Sequence, residues 1–182
     1  AIHAALLATG IAAGDSIVAA HDLYGATRAL FDQVFARLGV HVRYVDIADH
    51  AAVATALAAS PRERVTISTK TFAASLEEGE ESVTQALSDL GTDYLDILFL
   101  HAVQDEPDLQ SRRGALKTLT LEKGRGRIHA IGLSSHTAAG IHLAAVTPEI
   151  DVVMAPWNIR GELPDGGSRQ AIERAIAACY AA

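Results

Sequence analysis

Short apolar runs alternate along this chain with longer stretches in which apolar residues recur every three or four positions. "SIVAAHD" (16 to 22) is a β-branched apolar run and predicts a strand. "ATRALFDQVFARLG" (26 to 39) places Leu30, Phe31, Val34, Phe35 and Leu38 at helical spacing, with Gly39 as its stop. "VHVRYVDI" (40 to 47) predicts the next strand, and Asp49 caps a helix "HAAVATALAAS" that ends before Pro61. The strands "RVTISTKT", "YLDILFLHA", "IHAIGLSS" and "IDVVMAPWN" follow. Between and after them come the helices "LEEGEESVTQALSDLG", "DLQSRRGALKTLTLEKG", "TAAGIHLAAVT" and "SRQAIERAIAACYAA", and a further helix over 1–10 opens the chain.

Regular alternation of this kind predicts parallel strands joined by right-handed crossovers, because a parallel neighbour needs a connection long enough to hold a helix. The strands lack strict in-and-out alternation, so both sheet faces are expected to be covered. About six strands fall short of the eight that close a (β/α) barrel. The expected fold is therefore an open, three-layer, doubly wound parallel α/β sheet, with a partial, curled barrel-like sheet as the alternative. Ligands of such a sheet lie outside the carboxyl ends of the strands, where Lys70, His101, Ser134, Ser135 and Asn158 stand. The turn-rich "GELPDGG" (161 to 167) is followed by a single helix, so residues 1–182 are expected to form one domain.

Composition changes this picture little. Of 182 residues 49% are apolar and 20% charged, and no apolar stretch reaches a membrane-spanning length. The N-terminal "AIHAALLATG" lacks a basic leader, so a cytoplasmic location is expected. A net charge of −7 argues against nucleic acid and anionic membranes as partners. Cys179 is the lone cysteine and predicts no disulfide. Eight histidines show no spacing typical of a metal site, and none is expected. "EKGRGR" (122 to 127) leads into a strand and is read as a helix stop and turn.

Two resemblances meet near Pro61. "AGDSIVAAHDLYGATRALF" looks like a piece of the pyridoxal-phosphate enzymes of cysteine and methionine metabolism, the cystathionine synthase and methionine lyase family, and that likeness covers residues 1–60. From "VTISTKT" onward, through "SLEEGEESVTQALSDLGTDYLDILFLHA", "GRIHAIGLSSH" and "VVMAPWN", the chain resembles an aldo-keto reductase over residues 61–182. The double likeness implies a chimera, and strands of the two origins placed together predict the sheet order 2-1-3-4-5-6 of flavodoxin type.

By the second resemblance Lys70 and His101 match the lysine and histidine that assist a catalytic tyrosine, held beside an aspartate, in protonating a carbonyl oxygen while NADPH delivers hydride. Ser134 and Ser135 match the pair that holds the nicotinamide carboxamide, and Asn158 falls at the next strand end. Met154 stands where that family commonly has glutamine. The tyrosine and aspartate have no counterpart in this chain, and Tyr44 and Asp46 lie near that place in the order only by accident of ancestry. By the first resemblance Tyr24 matches the tyrosine that stacks on a pyridoxal ring, without the lysine that forms the Schiff base.

With both sites incomplete, the expectation is a designed fold chimera without enzymatic activity or cofactor, in which Lys70, His101, Tyr24, Ser134, Ser135 and Asn158 are vestigial. A module binding phosphate, sulfate or a nucleotide fragment is one alternative. An NADPH-dependent carbonyl reductase completed by subunit association is another, with weak NADPH or pyridoxal phosphate binding. A monomer, or a weak homodimer through sheet edges, is expected.

Overall fold

A computed structural model describes residues 6–7, 10–58, 61–156 and 168–181. The helix expected over 1–10 and the strand end at Asn158 lie largely or wholly outside these residues. The chain divides into two compact units, Ala1–Val65 and Thr66–Ala182.

In the first unit β1 (Ser16–Ala20) and β2 (His41–Val45) pair in parallel, in register from Ser16 opposite His41 to Ala20 opposite Val45. Between them α1 (Gly25–Leu30) widens into a π turn over Phe31–Phe35 and tightens into a 3-10 turn over Ala36–Leu38. Gly39 ends it with φ 84, a left-handed conformation that a Cβ would strain. Phe31, Phe35, Ala19 and Val40 form the core of this unit, with the two phenyl rings edge to face. α2 (His50–Leu57) begins as expected at Asp49, whose carboxylate accepts the Ala52 N–H at 3.0 Å.

The second unit runs β3 (Ser68–Thr71), α3 (Leu76–Leu90), β4 (Leu95–Leu100), α4 (Glu106–Ser111), α5 (Arg113–Gly124), β5 (Ile128–Ser134), α6 (Ala138–Val146), β6 (Val152–Met154) and α7 (Arg169–Ala181). Ser75 and Glu78 form a reciprocal capping box that starts α3. The single helix expected over 108–124 is two helices, broken at Arg112.

The sheet order corrects the doubly wound expectation. β1 pairs with β2, and a separate four-stranded parallel sheet runs β3-β4-β5-β6. A 2-1-3-4-5-6 order needs β1 hydrogen-bonded to β3, and no such ladder exists among the described residues. The physical difference lies in the direction of growth. Each crossover here adds its strand on the same side, and connections of one hand then send the connecting helices to one face. A doubly wound sheet reverses direction once and covers both faces.

The two faces of the sheet are accordingly unlike. Leu98, Leu100, Ile131 and Leu133 pack with Val83 of α3, Leu109 of α4, and Leu116 and Leu119 of α5 in the main core. Ile141 of α6 packs with Ile172 and Ala175 of α7, and Val153 joins them. On the opposite face Lys70, Phe99, Gly132 and Val152 stand side by side in register. Two residues further along lie Phe72, His101, Ser134 and Met154, since side chains alternate with period two. Phe99 lies directly over Gly132, where a Cβ would meet the ring at 2.2 Å.

Candidate active site at the strand ends

Parallel strands bring all their carboxyl ends to one edge, so the chemistry of three strands converges there without any local sequence signal. β3 ends with Lys70 and Thr71, β4 runs into His101, and β5 ends at Ser134. The backbone continues the ladder for one more rung, with His101 N–H donating to the Thr71 carbonyl at 2.9 Å.

His101 is the best-braced residue of the group. Its Nδ1 lies 2.8 Å from Ser134 Oγ, and the same oxygen accepts the Ala102 N–H at 3.0 Å. The Val103 N–H bonds the Ser134 carbonyl at 2.9 Å. The turn these bonds close passes through Ala102 at φ 56, a left-handed conformation that costs roughly 1–2 kcal/mol for a residue with a Cβ. Arg112 Nη1 donates to the His101 carbonyl at 2.7 Å, while Asp108 holds the guanidinium through Nε at 2.8 Å and Nη2 at 3.2 Å. The exposed Phe72 ring packs edge-on against the imidazole at 4.7 Å between centroids. Partial burial holds the His101 pKa below the usual histidine value, helped by the neighbouring Lys70, His136 and Arg112. The neutral form of the ring is therefore favoured at pH 7.

Lys70 is exposed at the end of β3, and its ammonium has no hydrogen-bond or ion-pair partner among the described residues. Ser135 is buried and does not join the group. Its hydroxyl accepts the Thr137 N–H at 3.1 Å, in the turn that opens α6, and its own N–H bonds the Met154 carbonyl at 3.1 Å. Met154 is half-exposed on the same face as Ser134.

Tyr24 belongs to the first unit, where it precedes α1 and is 81% exposed. Tyr44 is in that unit too, and its hydroxyl donates to Asp32 at 2.7 Å, not to Asp46. Desolvation, with the Asp32 hydrogen bond and charge, pushes the Tyr44 pKa up, so Tyr44 is a weaker acid than an ordinary tyrosine. The Ser134–His101 bond and the Arg112 brace have no signature in the sequence, because they join residues 33 and 11 positions apart.

The profile of the aldo/keto reductase family matches residues 38–161. The chain belongs to the aldo/keto reductase family. Among curated relatives, the aldo-keto reductase of Mycobacterium avium is 34% identical over 130 residues, covering 67% of this chain and 44% of that protein. The aldo-keto reductase of Mycolicibacterium paratuberculosis is 33% identical over 112 residues, covering 57% and 38%. The chain thus spans about two fifths of the length of these relatives.

Among solved structures, a putative aldo-keto reductase from Pseudomonas aeruginosa superposes with a TM-score of 0.58 at 24% identity, over 98% of this chain and 61% of that one. The Bombyx mori aldo-keto reductase in complex with NADP gives 0.54 at 18% identity, over 91% and 48%. These likenesses place the aldo/keto reductase segment in a (β/α)8 barrel fold, consistent with the one-sided helices of the β3–β6 sheet. The profile of the Cys/Met metabolism PLP-dependent enzymes matches residues 1–71.

The family overturns three expectations. A designed chimera without activity is corrected by membership in a family of reductases. The expectation of no enzyme falls with it. Against the expectation of no cofactor stands the Bombyx mori neighbour, whose structure is a complex with NADP. No helix among the described residues is long and apolar enough to cross a membrane.

Proposed function

We propose that this chain takes part in NADPH-dependent reduction of a carbonyl group, with Lys70 and His101 as its polar centre. The carrying observation is that the two side chains stand on one face at the ends of adjacent strands, close enough for the Lys70 charge to depress the His101 pKa. The neighbouring surface suits the flat nicotinamide end of the cofactor, with Phe72 and Met154 exposed along the strand ends. Bound there, the cofactor would supply hydride. His101 would orient the carbonyl oxygen, and the Lys70 ammonium would stabilise negative charge developing on it.

No tyrosine stands at these strand ends among the described residues. Tyr44 is unsuited to the task, being tied to Asp32 and made less acidic. The reading therefore places the acid on a second copy of the chain or on another part of the protein. Ser134 and Asn158 remain candidates for the carboxamide, while Ser135 is committed to the α6 turn. The matches to two families, over 1–71 and 38–161, support the further reading that segments of two origins are joined in this chain.

Carbonyl-dependent oxidation of NADPH tests the proposal, followed by loss of nicotinamide absorbance over a range of protein concentrations. The expected result is turnover that rises more steeply than linearly with concentration and is lost in both Lys70→Met and His101→Gln. Absence of turnover at every concentration, or turnover unchanged in both variants, refutes it.

A further inference from the structure

We infer that Ser134 is a positioning residue that locks His101 as the neutral tautomer carrying its proton on Nε2, which leaves that single ring N–H to meet a bound carbonyl. The inference rests on the proposed carbonyl chemistry for its purpose, and on hydrogen-bond accounting for its substance.

A serine hydroxyl has one hydrogen and two lone pairs. Ser134 is 5% exposed, so that hydrogen needs a protein acceptor. The Ala102 N–H already occupies one lone pair of Oγ at 3.0 Å. The one remaining contact of Oγ among the described residues is His101 Nδ1 at 2.8 Å. If Nδ1 carried the ring proton, it would fill the second lone pair and leave the serine hydrogen buried without an acceptor. If Nδ1 is bare, the hydroxyl donates to it and every group is satisfied. The second arrangement avoids the roughly 1–3 kcal/mol of a buried unmade hydrogen bond. The proton of the neutral ring must then sit on Nε2.

The surroundings keep the ring from escaping this choice. The backbone on either side is pinned by the Thr71 carbonyl and by Arg112, and Phe72 lies against one edge of the imidazole. A flipped ring would place a carbon opposite the Ser134 hydroxyl. The neighbouring Lys70, His136 and Arg112 oppose a second proton on the ring. With its hydroxyl hydrogen engaged by Nδ1, Ser134 can meet a cofactor amide only as an acceptor, through its second lone pair.

Nitrogen-15 spectra of the imidazole rings decide the matter, with His101 assigned by the signal lost in His101→Gln. At pH 7 and without cofactor, the intact chain should show an unprotonated Nδ1 and a protonated Nε2. Ser134→Ala should average the two nitrogens toward a tautomer mixture and raise the titration midpoint of His101, because a donor to the neutral ring has gone. Ser134→Thr, which keeps the hydroxyl, should restore both signals. A protonated Nδ1 in the intact chain overturns the inference, and so does a Ser134→Ala spectrum identical to the parent. The intact-chain spectrum needs no variant to fold. It also needs no turnover, so the expected spectrum alongside an inactive protein would count against the carbonyl reductase reading alone.

Discussion

Arg112→Ala should destabilise the second unit by about 2–3 kcal/mol and loosen the imidazole of His101 at the same time. Arg112 stands between α4 and α5, and its guanidinium makes three bonds to two residues: two to Asp108 and one to the His101 carbonyl. The Arg112 and Asp108 side chains are only 14% and 23% exposed. Breaking a fully buried pair by removing one partner costs about 3–5 kcal/mol, because the remaining charge stays desolvated. Asp108 keeps the Gln104 N–H at 3.0 Å and some solvent, which lowers the figure toward about 2–3 kcal/mol. For a urea slope of about 2 kcal/mol per molar, the unfolding midpoint should fall by roughly 1 M. Arg112→Lys should recover little, since one ammonium cannot span the fork that reaches both partners. In a double-mutant cycle with Asp108→Ala the coupling should exceed about 1 kcal/mol. Because Arg112 is among the charges that lower the His101 pKa, its removal should also raise the imidazole titration midpoint. Unfolding of Arg112→Ala within about 0.5 kcal/mol of the parent, with an unmoved His101 titration, would refute the brace.

Other outcomes follow from the same geometry. Gly140→Ala should lower the melting temperature although alanine is the better helix former by about 1 kcal/mol, because its Cβ would lie 2.2 Å from both the Val103 carbonyl and Ser135 Oγ. Gly124→Ala, with nothing within 4 Å of the new Cβ, is the control and should be neutral or stabilising in the same melt. His101 should contribute stability that is complete above its ordinary pKa near 6.5 and lost as pH falls through the lower folded value, so the parent should lose stability faster than His101→Gln on acidification. Ser75→Ala should cost about 1 kcal/mol in urea unfolding by removing half of the capping box of α3.

Much of the chain was legible residue by residue. Asp49 as a cap, Gly39 as a left-handed stop and the turn in 122–127 are local chemistry, and the structure has all three. The break at Arg112 was not legible, since the helical periodicity of 108–124 continues through it. Arg112 leaves the helix to reach a carbonyl that lies eleven residues back in the chain. Lys70, His101, Ser134 and Ser135 all stand at strand ends as expected, but Ser135, paired with Ser134 through the family resemblance, turns its hydroxyl into the α6 turn. Consecutive residues of a strand point to opposite faces, and Ser135 falls on the helix side.

What the amino-acid sequence determined by itself is the alternation of strand and helix, because apolar spacing, caps and stops act within a few residues. Parallel pairing and right-handed crossovers follow from that alternation. The side on which each strand joins its sheet was decided only in the tertiary structure. That choice is a competition between long-range packings which leave no periodic trace, and it separated a one-directional β3-β4-β5-β6 sheet from the doubly wound order the pattern equally allowed. The same long-range packing brought Ser134 under the His101 imidazole and set Arg112 against its carbonyl, turning three scattered polar residues into one braced histidine.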